Sequence, residues 1–161
     1  MRLKKFYYKK IKSTNNKALV HIKNGYEKGI ILAEFQTRGK GQRGNKWISL
    51  SGNLFMSVFF VIGNQISLNK ITKINCLIVQ KCLQKLTDYK VVVKKPNDIL
   101  INQQKISGIL QEIIFKNKKK FLIVGIGINI VKGPLHFGIL CTNSIFVGIN
   151  INIIYGGKGS F

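Results

Sequence analysis

The sequence predicts an α+β fold, in which a mixed, largely antiparallel sheet packs against helices on one side. Three apolar runs, at residues 30–35, 54–61 and 121–130, are rich in β-branched and aromatic side chains, as buried strands are. Only two segments carry helix signals. The strands of the second half follow one another without intervening helices, which favours antiparallel pairing over repeated βαβ units.

The first half of the chain is predicted to contain one helix and two strands. Ser13 and Thr14 are residue types that begin helices, and this helix is predicted to end near Gly25. Residues 30–35 and 54–61 follow as buried strands. The glycine-rich segment between them is therefore predicted to be a loop that joins two strands rather than a linker between domains.

The second half is predicted to begin with a helix and to continue as strands. Residues 68–86 form an amphipathic helix, because apolar residues recur at helical spacing with lysines on the opposite face. Pro96 restricts the residue before it to extended conformations, so a short strand ends there. Polar turns separate the predicted strands of this half, which are residues 91–93, 99–101, 106–115 and 121–130.

The chain has 161 residues, enough for one domain with a hydrophobic core, and a formal net charge of +22. Among its 27 basic residues only Arg2, Arg38 and Arg43 are arginine, whereas surfaces that read nucleic-acid bases favour arginine. We attribute the charge to compositional drift and expect no specific nucleic-acid partner. A basic nucleic-acid-binding module stays open as a less favoured alternative.

The cysteines and the hydropathy predict a cytoplasmic protein without a membrane partner. Cys76, Cys82 and Cys141 are odd in number and lack Cys-x-x-Cys spacing, so they fit neither a disulfide framework nor a zinc site. The longest apolar run, at residues 121–131, is interrupted by Asn129. It is also shorter than the ~20 residues that a membrane-spanning helix needs.

The most informative segment is the glycine-rich loop from Gly39 to Trp47, Gly-Lys-Gly-Gln-Arg-Gly-Asn-Lys-Trp. Its glycines let the backbone pass close to a ligand, and cationic side chains lie between them. Exposed backbone N–H groups surrounded by positive charge suit a phosphate or an adenylate. The loop is not a P-loop, because no Gly-Lys-Ser/Thr closes it. A basic surface loop without a ligand is the alternative.

Five blocks, in this order along the chain, resemble the catalytic domain of the biotin–protein ligases (biotin–[acetyl-CoA-carboxylase] ligases). The resemblance covers residues 8–130, which is most of the chain. The matching residues are Ser13-Thr14-Asn15; Gln36 with the loop Gly39 to Trp47; Lys94-Lys95-Pro96-Asn97-Asp98; Lys105, Gly108, Ile109, Leu110 and Glu112; and Gly125, Gly127 and Asn129.

The resemblance implies a fold related to the class II aminoacyl-tRNA synthetases and the lipoate ligases, and a reaction in two steps. The carboxylate of biotin attacks the α-phosphate of ATP, which gives biotinyl-5′-AMP and pyrophosphate. A lysine of the biotin carboxyl carrier protein of acetyl-CoA carboxylase then attacks the mixed anhydride. The implied cofactors are ATP and Mg²⁺, with biotin as substrate. Positioning and charge neutralisation supply the catalysis, so no protein nucleophile is needed.

The resemblance also assigns roles to residues of this sequence. The implied catalytic residues are Lys105, Lys40 and Asp98. The implied biotin-binding residues are Ser13, Thr14, Asn15, Gln36, Lys40, Gly41, Gln42, Lys105 and Gly108. The implied nucleotide-binding residues are Gly39, Lys40, Gly41, Gln42, Arg43, Trp47, Lys94, Asn97 and Asn129.

Most of these residues also have a purely structural alternative. Ser13 and Thr14 fit a plain helix N-cap, and Lys105 fits a solvated hairpin lysine. Asp98 either orients the incoming carrier lysine or forms a turn after the proline. Trp47 either covers the adenine or packs in the core beside the loop.

Four further residues complete the candidates. No protein motif alone implies a metal site, but Asn129 either assists Mg²⁺ and the phosphates or ends a strand. Glu112 is either a carboxylate beside the metal or a solvating charge at a sheet edge. His21 and His136 are expected to be ordinary surface or packing residues.

The sequence departs from the family pattern at a few positions. Lys95 stands where the family usually has tryptophan, which removes an aromatic wall near the biotin tail. Lys40, Gln42 and Asn45 stand where arginine is frequent. Lysine keeps the charge of arginine without its bidentate fork, and glutamine keeps only hydrogen bonding.

We predict a catalytic domain over residues 1–132 and a divergent tail over residues 133–161, without the family's DNA-binding N-terminal domain and small C-terminal β domain. We expect biotin and the carrier protein as partners, and a homodimer is one option for the assembly. Two alternatives of the same fold stay open. They are a lipoate or octanoyl ligase and a remnant without catalytic activity.

Overall fold

The computed structural model describes residues 3–130, which form two α-helices, one short 3₁₀ helix (Gln42–Gly44) and nine strands. The predicted tail at residues 133–161, with His136 and Cys141, lies outside the described residues. The elements are β1 Lys5–Ile11, α1 Thr14–Lys23, β2 Lys28–Gln36, β3 Gly39–Lys40, β4 Lys46–Trp47, β5 Leu54–Ile62, α2 Leu68–Gln84, β6 Val91–Lys94, β7 Asp98–Ile101, β8 Gln104–Lys116 and β9 Lys119–Ile128.

Seven of the strands form one sheet in the order β1-β2-β5-β9-β8-β7-β6. β1 runs parallel to β2, and the other neighbouring pairs of this sheet are antiparallel. The predicted α+β class with a mixed, largely antiparallel sheet is therefore confirmed. β3 and β4 form a separate two-stranded ribbon inside the glycine-rich loop.

The strands of the second half are joined by tight turns of polar residues, as predicted. β7 and β8 meet at Asn102 and Gln103, and β8 and β9 meet at Asn117 and Lys118. All four residues have a positive φ, between 49° and 62°. Two-residue turns of this kind match the right-handed twist of the strands that they join, so both hairpins are tightly closed.

β1 is a strand that the sequence pattern did not predict. Phe6, Tyr8 and Ile11 of this strand are half-buried, whereas its lysines are exposed. The strand lies at the edge of the sheet, where lysines prevent pairing with another chain. The many lysines of this strand obscure the alternation of apolar and polar residues in its sequence. Its place in the sheet depends on pairing with β2, which lies further along the chain.

The two helices lie on opposite faces of the sheet, which corrects the prediction that both lie on one side. On the first face, called the α1 face below, Ala18 and Ile22 pack against Ile31, Phe59 and Ile123. α2 packs on the other face, against the alternate residues of the same strands. The central strands are continuously apolar because both of their faces are buried, so each face needs its own cover.

α2 buries one apolar stripe and leaves its lysines exposed, which confirms the predicted amphipathic helix. Its core residues include Ile71, Val79 and Leu83. Cys76 and Cys82 are buried free thiols, and burial raises the pKa of both, as for inert packing residues. Within residues 3–130, no helix has the length and apolar character needed to cross a membrane.

Phe59 is an aromatic side chain of the α1 face that packs with α1 and has no exposed surface. Gly29, its neighbour across the β2–β5 ladder, leaves room for the ring. A Cβ atom at Gly29 would lie 2.8 Å from the Phe59 ring. The packing of α1 on the sheet therefore depends on this aromatic side chain.

His21 on α1 is a packing residue, as expected. Its ring stacks on Phe6 at a centroid distance of 3.9 Å, and its Nε2 lies 2.9 Å from the Tyr8 hydroxyl. Desolvation by burial lowers the pKa of His21, and the nearby charges of Lys17 and Lys4 lower it further. The neutral imidazole is therefore the form that the fold stabilises.

We expect Phe59→Ala to reduce the free energy of unfolding by about 3–5 kcal/mol, because it leaves a cavity under α1. Phe115→Ala is the matched control, since Phe115 is 72% exposed. The control should cost less than about 0.5 kcal/mol. Urea unfolding followed by circular dichroism measures both variants, and equal small losses would contradict the central placement of Phe59.

We also expect the stability to fall on acidification through His21. Because the pKa of His21 is lower in the folded chain than the ~6.5 of the unfolded chain, its contribution is present above that pH and lost below it. The thermal midpoint should therefore fall between about pH 7 and about pH 5. His21→Phe should weaken this dependence in the same melting experiment, and an unchanged dependence would reject the assignment.

Candidate active site

A cavity of ≈ 260 Å³ lies between the start of α1, the glycine-rich loop and the α1 face of β8 and β9. Residues that are far apart in the sequence meet in its wall. The predicted site residues found there are Ser13, Thr14, Asn15, Gln36, Lys40, Gly41, Gln42, Arg43, Trp47, Asn97, Asp98, Lys105 and Gly108.

Glycines form the floor of the cavity beneath Trp47. Gly108 on β8 and Gly127 on β9 are direct cross-strand neighbours. A Cβ atom at Gly108 would lie 2.6 Å from the Trp47 ring, and one at Gly127 would overlap the same ring. A larger residue at either position would push the indole off the sheet. Glycine at both positions therefore lets the loop close onto the floor.

Asn15 lies on the same floor, above Gly125. A Cβ atom at Gly125 would overlap the Asn15 side-chain amide. The amide is held at both ends. Asn15 Oδ1 accepts a hydrogen bond from Ser57 Oγ at 2.5 Å, and Nδ2 donates to Glu112 Oε2 at 2.7 Å. Asn15 thus stabilises the cavity wall, and one Nδ2 hydrogen remains for a ligand.

Gln36 fixes the start of α1 to the strand that precedes the loop. Its Oε1 accepts hydrogen bonds from the backbone N–H of Thr14 at 2.8 Å and from the Thr14 hydroxyl at 3.1 Å. Its Nε2 donates to Ser49 Oγ at 3.2 Å. The proton of the Thr14 hydroxyl is therefore engaged, and its oxygen can accept a hydrogen bond from a donor in the cavity.

Ser13 precedes α1 as its N-cap residue, but its hydroxyl makes no capping hydrogen bond. The residue is 3% exposed and lines the cavity. Its hydroxyl has no hydrogen-bond partner among residues 3–130. The hydroxyl is open to the cavity, so it is available to a bound ligand. The plain N-cap alternative does not explain it.

The glycine-rich loop is an ordered ribbon in which Gly39 lies opposite Trp47. A Cβ atom at Gly39 would lie 2.5 Å from the Trp47 carbonyl oxygen, so the ribbon requires glycine there. The ribbon turns at Arg43 and Gly44, whose φ angles are 53° and 80°. Its backbone is therefore held by close contacts rather than free as in a mobile surface loop.

Each predicted catalytic lysine contacts one carboxylate. Lys105 Nζ lies 2.7 Å from Asp98 Oδ1, and Lys40 Nζ lies 3.4 Å from Glu112 Oε1. The Lys105 ammonium also lies 5.4 Å from the centre of the Trp47 ring. All four charged side chains are partly exposed, and such pairs are weak. Both ammonium groups can therefore turn towards an anionic ligand.

Three predicted site residues lie outside the cavity wall: Gly39, Lys94 and Asn129. Lys94 is exposed at the end of β6. Asn129 Nδ2 donates to the backbone oxygen of Lys105 at 3.3 Å, and its Oδ1 lies 3.5 Å from Asn53 Nδ2. Asn129 thus ties the end of β9 to the Lys105 backbone, and its predicted contact with the nucleotide stays a prediction.

Asn97 lines the cavity but its amide is engaged within the protein. Its Nδ2 donates to the Ile109 backbone oxygen at 2.8 Å, and its own backbone oxygen accepts from Ile109 N at 3.0 Å. These two bonds hold the turn after β6 against β8. Asp98 is the next residue in the chain, so the same turn places it beside Lys105.

Sequence reasoning did not name Ser49 or Ser57, and it placed Gly125 and Gly127 in a matching block without a role in the site. The two glycines stand two residues apart on one strand and so share a face, which is a usable signal for a close contact. Ser57 is a single hydroxyl within an otherwise apolar strand, which is a second such signal. Ser49 had no signal, because its partner Gln36 is defined only by the fold.

Within residues 3–130, no group of three His, Cys, Asp or Glu side chains is placed to hold a metal ion. The two carboxylates near the cavity, of Asp98 and Glu112, contact lysines. These residues do not fit a resident Mg²⁺ site. A Mg²⁺ ion that enters with a nucleotide keeps several waters and is held by phosphate oxygens with one or two carboxylates.

A sequence profile of the biotin/lipoate A/B protein ligase family matches residues 6–129. The chain is 34% identical, over 123 residues, to the bifunctional ligase/repressor BirA of Escherichia coli (strain K12). That match covers 74% of this chain and 38% of the E. coli protein. The chain thus spans less than half the length of this curated relative.

Two solved structures share the fold. The biotin protein ligase from Aquifex aeolicus in complex with biotin and ATP has a TM-score of 0.74 at 25% identity, covering 94% of this chain and 70% of that chain. The biotin acetyl coenzyme A carboxylase synthetase from Helicobacter pylori, with bound biotinylated ATP, has a TM-score of 0.77 at 24% identity, covering 94% and 75%. Since the family profile spans the elements that build the cavity, the chain belongs to the biotin/lipoate A/B protein ligase family.

Proposed function

We propose that the protein is a biotin–protein ligase. It activates biotin with ATP to biotinyl-5′-AMP and transfers biotin to a lysine of the biotin carboxyl carrier protein of acetyl-CoA carboxylase. The main support is a single cavity that is lined by the unpartnered Ser13 hydroxyl and by two lysines, Lys40 and Lys105. Such a cavity suits a ligand that combines an uncharged polar ring with an acyl phosphate.

The polar groups at the start of α1 favour biotin over lipoate. The Thr14 hydroxyl offers a lone pair, Ser13 can donate or accept, and Gln36 and Asn15 each keep one N–H hydrogen. The ureido ring of biotin has two N–H donors and a carbonyl acceptor that can pair with them. The dithiolane ring of lipoate has no such groups and would leave the buried wall unpaired, which is unfavourable.

In the first step, a carboxylate oxygen of biotin attacks the α-phosphorus of MgATP. A new oxygen–phosphorus bond forms, the bond to the β-phosphate oxygen breaks, and pyrophosphate leaves. Lys105, Lys40 and Arg43 neutralise the charge that develops on the phosphate oxygens. Each lysine leaves its ion pair with a carboxylate and pairs with phosphate instead. The free-energy cost is small because exposed ion pairs contribute only about 0–1 kcal/mol.

In the second step, the neutral amine of the carrier lysine attacks the acyl carbon of biotinyl-5′-AMP. An amide bond forms, the bond to the AMP oxygen breaks, and the amine gives a proton to solvent water as AMP leaves. Asp98 lines the same cavity as Lys105. Once Lys105 turns to the phosphate, the Asp98 carboxylate is free to accept a hydrogen bond from the amine and to orient it.

The activity is tested by incubating the full chain with biotin, MgATP and a biotin carboxyl carrier domain. We expect pyrophosphate release and a biotinylated carrier lysine, detected by mass spectrometry. Pyrophosphate without labelled carrier would support activation and reject this carrier. Neither product would favour the non-catalytic remnant, and pyrophosphate release with lipoate instead of biotin would make the protein a lipoate ligase.

Lys105→Ala should slow pyrophosphate release by about 100-fold, because it removes a cation from the developing phosphate charge. Its thermal midpoint should stay close to that of the wild type, since the pair with Asp98 is partly exposed. Lys119→Ala is the matched control, as it removes the partner of Glu27 at the far β8–β9 turn. Unchanged pyrophosphate release in Lys105→Ala would reject the catalytic assignment.

Ser13→Ala should weaken the binding of biotin by about fivefold to tenfold, since one hydrogen bond to the ligand is lost. The fold should be unaffected, because the hydroxyl has no partner within residues 3–130. Ser107→Ala is the control: its hydroxyl likewise has no partner within residues 3–130, but it is fully buried and lies outside the cavity wall. Isothermal titration calorimetry with biotin measures both, and equal affinities would contradict the role of Ser13.

A further inference from the structure

We propose that Glu112 is a positioning residue for the glycine-rich loop. One carboxylate oxygen holds the Lys40 ammonium of the loop, and the other holds the Asn15 amide at the start of α1. Its effect on catalysis rests on the proposed function. Its effect on the loop rests on the contacts alone and can be measured without any activity.

Glu112 lies beside the cavity and acts through its neighbours. It is not part of the cavity wall, whereas Lys40 and Asn15 both are. Glu112 Oε2 accepts from Asn15 Nδ2 at 2.7 Å, and Oε1 lies 3.4 Å from Lys40 Nζ. The carboxylate thus bridges the helix and the loop from β8, on the same face as Gly108.

The bridge is anchored in the interior of the sheet. Ser57 is fully buried and donates to Asn15 Oδ1, which fixes the orientation of the amide. The Asn15 amide in turn fixes which carboxylate oxygen of Glu112 faces it. The second oxygen is therefore directed towards Lys40. This chain of contacts joins β5, α1, β8 and β3, and the last three of these elements border the cavity.

The charge balance makes this carboxylate important for the loop. The chain has 27 basic and 5 acidic residues. Three cationic side chains, Lys40, Arg43 and Lys46, crowd the loop. Within the described range, Glu112 is the acidic partner in the one ion pair that the loop forms. Without it, repulsion among the cations and the freedom of three glycines would both favour opening of the loop.

The expected kinetic effect is on substrate affinity. In the empty cavity the pair with Glu112 keeps the loop closed, so little ordering of the loop remains when Lys40 turns from this carboxylate to a phosphate. In the complex the phosphate itself orders Lys40. Glu112→Gln should therefore raise the KM for ATP about threefold and change the kcat of pyrophosphate release by less than about twofold.

The loop carries its own reporter, since Trp47 is the sole tryptophan of the chain. We expect Glu112→Gln to raise the acrylamide quenching constant of Trp47 fluorescence about twofold in the ligand-free protein, as the loop opens. Glutamine keeps an acceptor for Asn15 and removes only the charge. Glu27→Gln is the matched control, because it breaks the ion pair with Lys119 far from the loop.

Lys40→Gln tests whether the effect passes through the proposed pair. It should raise Trp47 quenching as much as Glu112→Gln, and the double variant should show no further increase. Additive effects, or quenching in Glu112→Gln equal to that in the wild type and Glu27→Gln, would overturn the proposal. Circular dichroism confirms that each variant is folded. A wild type that releases no pyrophosphate would reject the proposed function, while the quenching series would still decide the role of Glu112.

Discussion

The cavity exists because three positions of β8 and β9 carry no side chain. Gly108 and Gly127 allow the Trp47 indole to lie directly on the sheet, and Gly125 does the same for the Asn15 amide. The loop and the start of α1 can approach the same floor only under this condition. Close packing of an aromatic ring against backbone also orders a loop whose glycines would otherwise favour disorder. The site is thus shaped by missing side chains as much as by the polar groups around it.

Charge is distributed around this floor in a way that the net charge of +22 does not suggest. The acidic side chains beside the cavity, Asp98 and Glu112, each contact one of the lysines proposed to act on phosphate. These pairs are partly exposed and therefore exchangeable. They limit repulsion among cations in the empty cavity and release them to an anionic ligand. Lysine at position 40 suits such an exchange, since it binds as a point charge rather than through a planar fork.

The polar groups of the site divide into those that hold the protein together and those that remain for a ligand. Gln36 and Asn15 are largely engaged by serines and by neighbouring elements. Ser13 and the lone pair of Thr14 stay open towards the cavity. Matching a residue to a family motif cannot make this distinction, because it depends on which partners the fold supplies. It is the basis for preferring a ligand with a cyclic urea.

Local signals in the sequence determined both helices and the strands of the main sheet from β2 onwards. The sequence also determined the residue types that line the cavity. Apolar runs, helical spacing and turn residues such as Asn102 and Asn117 act over a few residues and are visible in the sequence. Only the tertiary structure decided that β1 adds to the sheet edge, that the helices cover opposite faces, and that Glu112 contacts Lys40 and Asn15. These features depend on contacts between residues distant in the chain, whose geometry exists only once the sheet is assembled.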